Sequence, residues 1–453
     1  MQFVNLRGAA REFSRSLTKL IIGVATLAVA SRGVAQSPTP APREAVLLGN
    51  VLDAVERANP RLDAARATAR AARARVASAT RPPDPQLQFG WMNYELPSLR
   101  PMDVLGMTQL QLMQMVPVPG KLRLAGLVET ARADASATRV ADVSFDLRTR
   151  AAMAFYDLYA VDGTLGVARD TRRILQDISA IAVKMYQVGE GRQADVLRAN
   201  VELARMQEDI IRMETMRTTM TARLNALLTD STTAVVGVPS LPAFPAILPE
   251  LDSLTQLAEK NRPMIRAGVQ DVDAADASSR LAQREIWPDL QMGVQYGQQP
   301  GPMGTQRMGS LMVGASLPIF AKSRQLQMRV EANAMRAMAA ADLAAMRVET
   351  RGAVSEAHAN LLRARRLAAL YRTSVLPQAE ATVTSSRASY QVGTVNFMTL
   401  LDAQMTLNRY AQELFTLEAD EGKAWAELEM LTGRVLFDAH TAQPAHSAGG
   451  PPK

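Results

Sequence analysis

The chain has 453 residues, 47% hydrophobic and only 5% aromatic, with a formal charge of +7 and no cysteine. The missing cysteine excludes structural disulfides, thiolate metal centres and a lipid anchor on an N-terminal cysteine. Five cations and Glu12 sit within the first 35 residues, so without them the +7 falls to +3 and no nucleic-acid signature survives.

That leading segment, 1–35, reads as an export signal peptide. Arg7, Arg11, Arg15 and Lys19 precede an apolar run at 20–30, and Gly33-Val34-Ala35 before Gln36 satisfies the small-x-small cleavage rule. The run is too short to span a bilayer and therefore is not an anchor. Residues 44–80 then set Leu47, Val51, Val55, Leu62 and Ala65 at helical spacing, and Pro82, Pro83 and Pro85 stop the helix.

The period changes to two beyond those prolines. Leu87, Phe89 and Trp91 alternate with Gln86, Gln88 and Gly90; after a proline-containing loop, Leu110, Leu112 and Val116 alternate with Gln109, Gln111, Met113 and Met115. Strands at about 86–94 and 107–116 form a hairpin long enough for tilted strands to cross a bilayer. Pro117 and Pro119 end it, and from Lys121 to Gln187 no proline interrupts a helical pattern that would reach roughly 100 Å. Val188-Gly189-Glu190-Gly191 reverses the chain, and a second helix follows at 193–228.

Residues 239–249 hold four prolines and predict an extended linker, after which the plan restarts. A helix at 251–286 stops at Trp287-Pro288, strands follow at about 289–297 and 308–317, and long helices occupy 323–391 and 397–432. Gly301-Pro302-Met303-Gly304 joins the strands rather than opening a helix, so it is a turn and not a phosphate cradle.

The restart is a duplication. Tyr186-Gln187-Val188-Gly189 returns as Tyr390-Gln391-Val392-Gly393, and the seam Ala199, Met206, Ile210, Leu224 returns 204 residues later as Ala403, Tyr410, Leu414, Leu428. Arg217 answers Glu421 with opposite charge, which predicts that the two help pair unlike repeats across one helical layer. The chain thus divides into a signal peptide (1–35), a first repeat (36–232), a Pro-rich linker (233–250), a second repeat (251–433) and a disordered tail (434–453). Its fold class is mainly α with a membrane β-barrel portion, built on a duplicated helix, β-hairpin and long helix hairpin.

Offset 201 carries Leu110 and Leu112 onto Leu311 and Val313, so both hairpins agree on an apolar face for lipid. The opposite face holds Met107, Gln109, Gln111, Met113 and Met115, with Met308, Ser310 and Met312, and should face a lumen. Four such strands cannot close a barrel, and open edges are forbidden in hydrocarbon, so the chain must oligomerise.

The export signal, the duplicated plan over roughly 44–433 and the two Val-Gly turns together resemble the TolC family of outer-membrane efflux channels. The resemblance implies a homotrimer in outer-membrane lipid with a 12-stranded barrel and an α-helical periplasmic tunnel. It also implies service as the exit duct of a tripartite pump, with a periplasmic adaptor protein and an inner-membrane RND-type transporter as partners. On the family's pattern Val188, Gly189, Val392, Gly393 and Thr394 are adaptor-docking tips, with Glu190 standing where Thr394 stands in the second copy. Asp402 falls where the family places an acid at the periplasmic gate, with Thr399 at the neighbouring acidic position. Val118-Pro119-Gly120-Lys121 and the Met-rich strands are similar to the heavy-metal branch of the CusC and CzcC kind. Thioethers at Met107, Met113, Met115, Met308 and Met312 suit soft cations, while Met206, Met213 and Met220 illustrate methionine used as plain filler.

No nucleophile with a base, metal set or paired carboxylates marks an enzyme, and no cofactor or nucleic-acid partner is implied. His358 stands alone in a helix, and His440 and His446 fall in the tail. A multidrug or type I secretion duct of the same fold is an alternative function. An exported coiled-coil scaffold or adhesin is an alternative of another class.

Overall fold

The computed structural model describes residues 45–98, 100–102 and 106–441. The expected export signal and residues 442–453, with His446, lie outside them. The first repeat runs β1 (Ala45–Leu47), α1 (Leu48–Ala58), α2 (Pro60–Ala79), β2 (Gln86–Met92), β3 (Tyr94–Glu95), β4 (Arg100–Pro101), β5 (Met107–Val116), α3 (Lys121–Gln187) and α4 (Gln193–Leu228). After β6 (Val238–Ser240) the second runs α5 (Leu251–Asn261), α6 (Pro263–Arg284), β7 (Leu290–Gly301) and β8 (Gly304–Ala315). It continues with α7 (Gln325–Leu370), a π turn (Tyr371–Val375), α8 (Leu376–Gln391) and α9 (Phe397–Thr432).

Local chemistry explains most breaks. The helices expected at 44–80 and 251–286 each divide at an X-Pro step: Pro60 and Pro263 take a first-turn position, where no N–H is needed. Asn59 caps the second piece by accepting from the Arg61 N–H at 3.0 Å. Pro377 has no N–H and its ring crowds the preceding turn, so the rod from 325 to 391 widens into the π turn just ahead of it instead of ending. At 1.5 Å per residue the 67-residue α3 is roughly 100 Å long.

Strands β2, β5, β7 and β8 form one antiparallel sheet in that order, so β2 and β8 are its two free edges. The second hairpin is longer than expected: β7 runs four residues past 297 and β8 begins at Gly304, closing on the two-residue turn Pro302-Met303. The first strand is shorter than expected, because Asn93 at φ 56 turns the chain and Tyr94–Glu95 pair with Arg100–Pro101 rather than with β5.

Two expectations are corrected outright. The Pro-rich stretch 233–250 is not a free linker: β6 pairs in parallel with β1, and Val236 and Leu241 are buried in the main core. Nor is the tail disordered from 434, since Phe437 packs edge-on against Phe244 and Trp425, and Ala439 accepts from the Gly49 N–H at 2.9 Å. Both segments carry large apolar side chains that only a remote partner could cover.

The repeats interlock through the helices. α3 packs on α2 and α4 of its own repeat and on α6 and α9 of the other. One core gathers Phe155, Tyr156, Leu158, Leu224, Trp425 and Leu428; a second, further along α3, gathers Ile178, Ala182, Ala199, Tyr390, Phe397 and Leu400. Two close approaches lock α3 to α9. The Tyr156 ring fills the space where Gly422 has no side chain, and the Phe415 ring fills the space at Gly163.

Candidate functional site

The sheet has two unlike faces. One rung reads Leu87, Leu112, Val294 and Leu311 across all four strands, and every one of these side chains is exposed. Phe89 and Trp91 continue that face, ring edge against ring at 4.7 Å. The adjacent rung, Gln86, Met113, Gly293 and Met312, points the other way because successive residues alternate across a pleat.

On this second face the methionines lean over glycines. A methyl group on Gly293 would stand 3.3 Å from Met113 Cγ and 3.4 Å from Met312 Cε, so the two side chains converge from the flanking strands. Four residues on, Gly297 lies opposite Met308, and a methyl group on it would stand 3.0 Å from Met107 Sδ. Met115 lies on the same face opposite Gln291, outside both groups. Sequence spacing gave the parity of these residues but not the pairing of methionine with glycine, which depends on the register between distant strands.

At the far end of α3 the two turns close over the second core. Gly189 and Gly393 adopt φ of +82° and +74°, the left-handed conformation that ends a helix tightly, and Gly191 comes so close to the Tyr186 N that a side chain would collide. Val188 and Val392 are 69% and 73% exposed, so each turn presents an apolar knuckle to solvent. The turns differ in support. Thr394 N–H and its hydroxyl both donate to Ser389 O at 2.9 Å, and Tyr390 is buried against Phe397, whereas Tyr186 is exposed and, among the described residues, Glu190 bonds only through its backbone, to Met185.

Asp402 and Thr399 sit one turn apart on the exposed side of α9. Both line a groove of about 920 Å³ between α8 and α9, with Gln378, Thr382, Arg409 and Gln412 on its walls. Asn396 caps α9, accepting from both the N–H and the hydroxyl of Thr399 at 2.9 Å. Asn396 and Arg409 escaped the sequence reading; an Asn three residues before Thr399 at a helix start is the capping signal that marks the former.

Midway along the helices stand the two charged seam positions. Arg217 donates to Asp162 of α3 at 2.5 and 3.3 Å and to Val236 O at 3.3 Å, with side chains 15% and 11% exposed. Glu421 faces Arg365 of α7 at 3.7 Å. Each therefore pairs inside its own repeat, which corrects the expected pairing of unlike repeats. The polarity is inverted: the cation is on the shorter helix in the first repeat and on the longer helix in the second. Beside Glu421, Arg372 on the π turn donates to Glu418, which also accepts from Tyr159 at 2.6 Å. Burial raises the Glu421 carboxyl above its ordinary range, with Arg365 and then Arg372 partly offsetting it. Burial likewise raises Glu429, and the hydroxyls of Tyr156 and Tyr159.

Residues 51–229 and 254–434 match the family described as Outer membrane efflux protein. The chain belongs to that family. Within it, the cobalt-zinc-cadmium resistance protein CzcC of Cupriavidus metallidurans is 25% identical over 288 residues, covering 62% of this chain and 65% of that protein. The solved structure of CusC superposes with a TM-score of 0.72 at 17% identity, over 86% of this chain and 93% of CusC. The CmeC outer membrane channel of Campylobacter jejuni gives 0.72 at 15% identity, over 93% and 96%. The fold is thus that of the efflux channels. Among the described residues no helix is long and apolar enough to cross a membrane, and no group of three or more His, Asp or Glu is placed to hold a metal ion.

Proposed function

We propose that the chain is the outer-membrane exit duct of a tripartite efflux pump. In this reading three copies close a 12-stranded barrel in outer-membrane lipid and continue it as a helical tunnel, with a periplasmic adaptor and an RND-type transporter as partners. The observation that carries it is the four-stranded sheet, apolar on one face and open at both edges, standing on helices of roughly 100 Å. The apolar turns at Val188-Gly189 and Val392-Gly393-Thr394 dock the adaptor. Asp402, with Thr399 beside it, forms a threefold ring at the periplasmic mouth that favours cations.

Detergent-extracted protein in planar bilayers is expected to conduct with cation preference, and Asp402→Asn to shift the reversal potential toward chloride. A protein soluble without detergent and silent in bilayers defeats the duct reading and restores the scaffold alternative.

The cargo reading that a specific observation favours is a soft monovalent metal cation. Met113 and Met312 converge over Gly293, and Met107 lies over Gly297, whose partner on β8 is Met308, so soft thioether ligands gather on the face assigned to the lumen. Joint Met→Leu substitution at 107, 113, 308 and 312 is expected to reduce silver(I) tolerance conferred on a sensitive host while leaving bilayer conductance in potassium chloride unchanged. Full tolerance in that variant removes the reading.

A further inference from the structure

The inner pair of strands in the sheet is fastened by a lysine clamp. Lys121, at the start of α3, is only 6% exposed, and its Nζ donates to Asp289 at 2.9 and 3.0 Å, to Trp287 O at 3.2 Å and to Glu285 at 3.5 Å. Asp289 also accepts from the Val118 N–H at 3.0 Å. The clamp binds the segment leaving β5 to the segment entering β7, which are adjacent strands from different repeats.

The duplication supplies both halves of this clamp a second time. Lys322 follows β8 as Lys121 follows β5, each four residues after a proline, Pro318 and Pro117. Pro83-Asp84-Pro85-Gln86 enters β2 as Pro288-Asp289-Leu290-Gln291 enters β7. Within one chain these copies cannot meet, because β8 and β2 are the opposite free edges of the sheet. Lys322 and Asp84 are both exposed, and neither has an ion-pair partner among the described residues.

We infer that Lys322 of one copy and Asp84 of the next form an intersubunit clamp, the counterpart of Lys121–Asp289. The strand directions permit it: they alternate across β2, β5, β7 and β8, so β8 meets β2 of the next copy antiparallel. The register transferred from β5–β7 sets Leu311 opposite Trp91 and Val313 opposite Phe89, all four on the apolar face. It also sets Met312 opposite Gly90 on the other face. Had the equivalence been wrong by one residue, every pair would have mixed faces. The intersubunit clamp is thinner than its model, since position 80 is Thr where the inner clamp has Glu285.

This inference rests on the oligomeric duct proposed above, and the test separates the two. The chain has no native cysteine, so Phe89→Cys with Val313→Cys forms a clean probe of register. Oxidised membranes are expected to give disulfide-linked dimers and trimers, with neither single variant doing so. Lys322→Asp and Asp84→Lys, each alone, are expected to lose the detergent-resistant oligomer at a temperature where the parent retains it, and the double exchange to regain it. A parent that is monomeric in membranes defeats the oligomer itself. An oligomeric parent whose cysteine pair stays uncross-linked overturns the register, and charge exchanges that have no effect, or no recovery, overturn the clamp.

Discussion

Gly422→Ala is expected to be among the most damaging single substitutions in the helical rod, costing about 3 kcal/mol or more of stability. A methyl group there would lie 2.2 to 2.6 Å from three carbons of the Tyr156 ring, and that ring is fully buried between Phe155 and Phe244, with no room to retreat. Gly163→Ala presents the reciprocal case, with Phe415 carbons at 2.2 and 2.4 Å, but Phe415 is only half-buried and can swing aside. The expected order of heat stability is therefore parent, then Gly163→Ala, then Gly422→Ala. Adding Tyr156→Leu to Gly422→Ala should recover part of the loss. Thermal unfolding of detergent-solubilised protein by circular dichroism checks the order, and equal stability of parent and Gly422→Ala would show that α3 and α9 are less tightly apposed.

The inverted ion pairs give the second large effect. Asp162→Ala leaves Arg217 buried without its counter-charge, which costs about 3 kcal/mol. Exchanging the two charges, Asp162→Arg with Arg217→Asp, is expected to retain most of the parent stability, because the second repeat already holds the acid on the shorter helix and the cation on the longer one. If the exchange is as unstable as the single variant, the positions are not equivalent. The second repeat adds a pH dependence. Burial raises the Glu421 carboxyl above its ordinary 4.5, so the native state holds that proton more tightly than the unfolded chain. Its contribution is full below 4.5 and is lost as pH rises through the raised value. Glu421→Gln is expected to flatten that part of the decline, measured as melting temperature between pH 4 and 7.

What the sequence made legible follows from what is periodic. The strand parity, the reversals at Gly189 and Gly393 and the equivalence of Arg217 with Glu421 all lie in spacing and in the repeat, and the mainly α architecture with its paired hairpins follows from them. What it hid is what depends on a distant partner. Gly422 reads as a weak spot in a helix, since glycine there loses about 1 kcal/mol against alanine; only the Tyr156 ring, 266 residues earlier, explains it. Asp162 and Arg365 carry no pattern of their own, so the sequence showed half of each ion pair and assigned it the wrong partner. The prolines at 239–249 looked like a tether because proline is common in both tethers and edge strands, and the pairing of β6 with β1 could not be read locally.

The π turn gives the two halves different lengths of rod. From Asp162 to Tyr186 is 24 residues, whereas from Arg365 to Tyr390, the matching points in the second half, is 25. The extra residue falls in the interval that contains Tyr371–Val375, where five residues per hydrogen-bonded loop give way to a wider one. An insertion in a straight α-helix would have swung everything beyond it by about 100° and carried Tyr390 off Phe397. Absorbed as a wide turn, it leaves Tyr390 against Phe397 and Arg365 against Glu421, so one rod carries an extra residue while the contacts on either side of it keep their places.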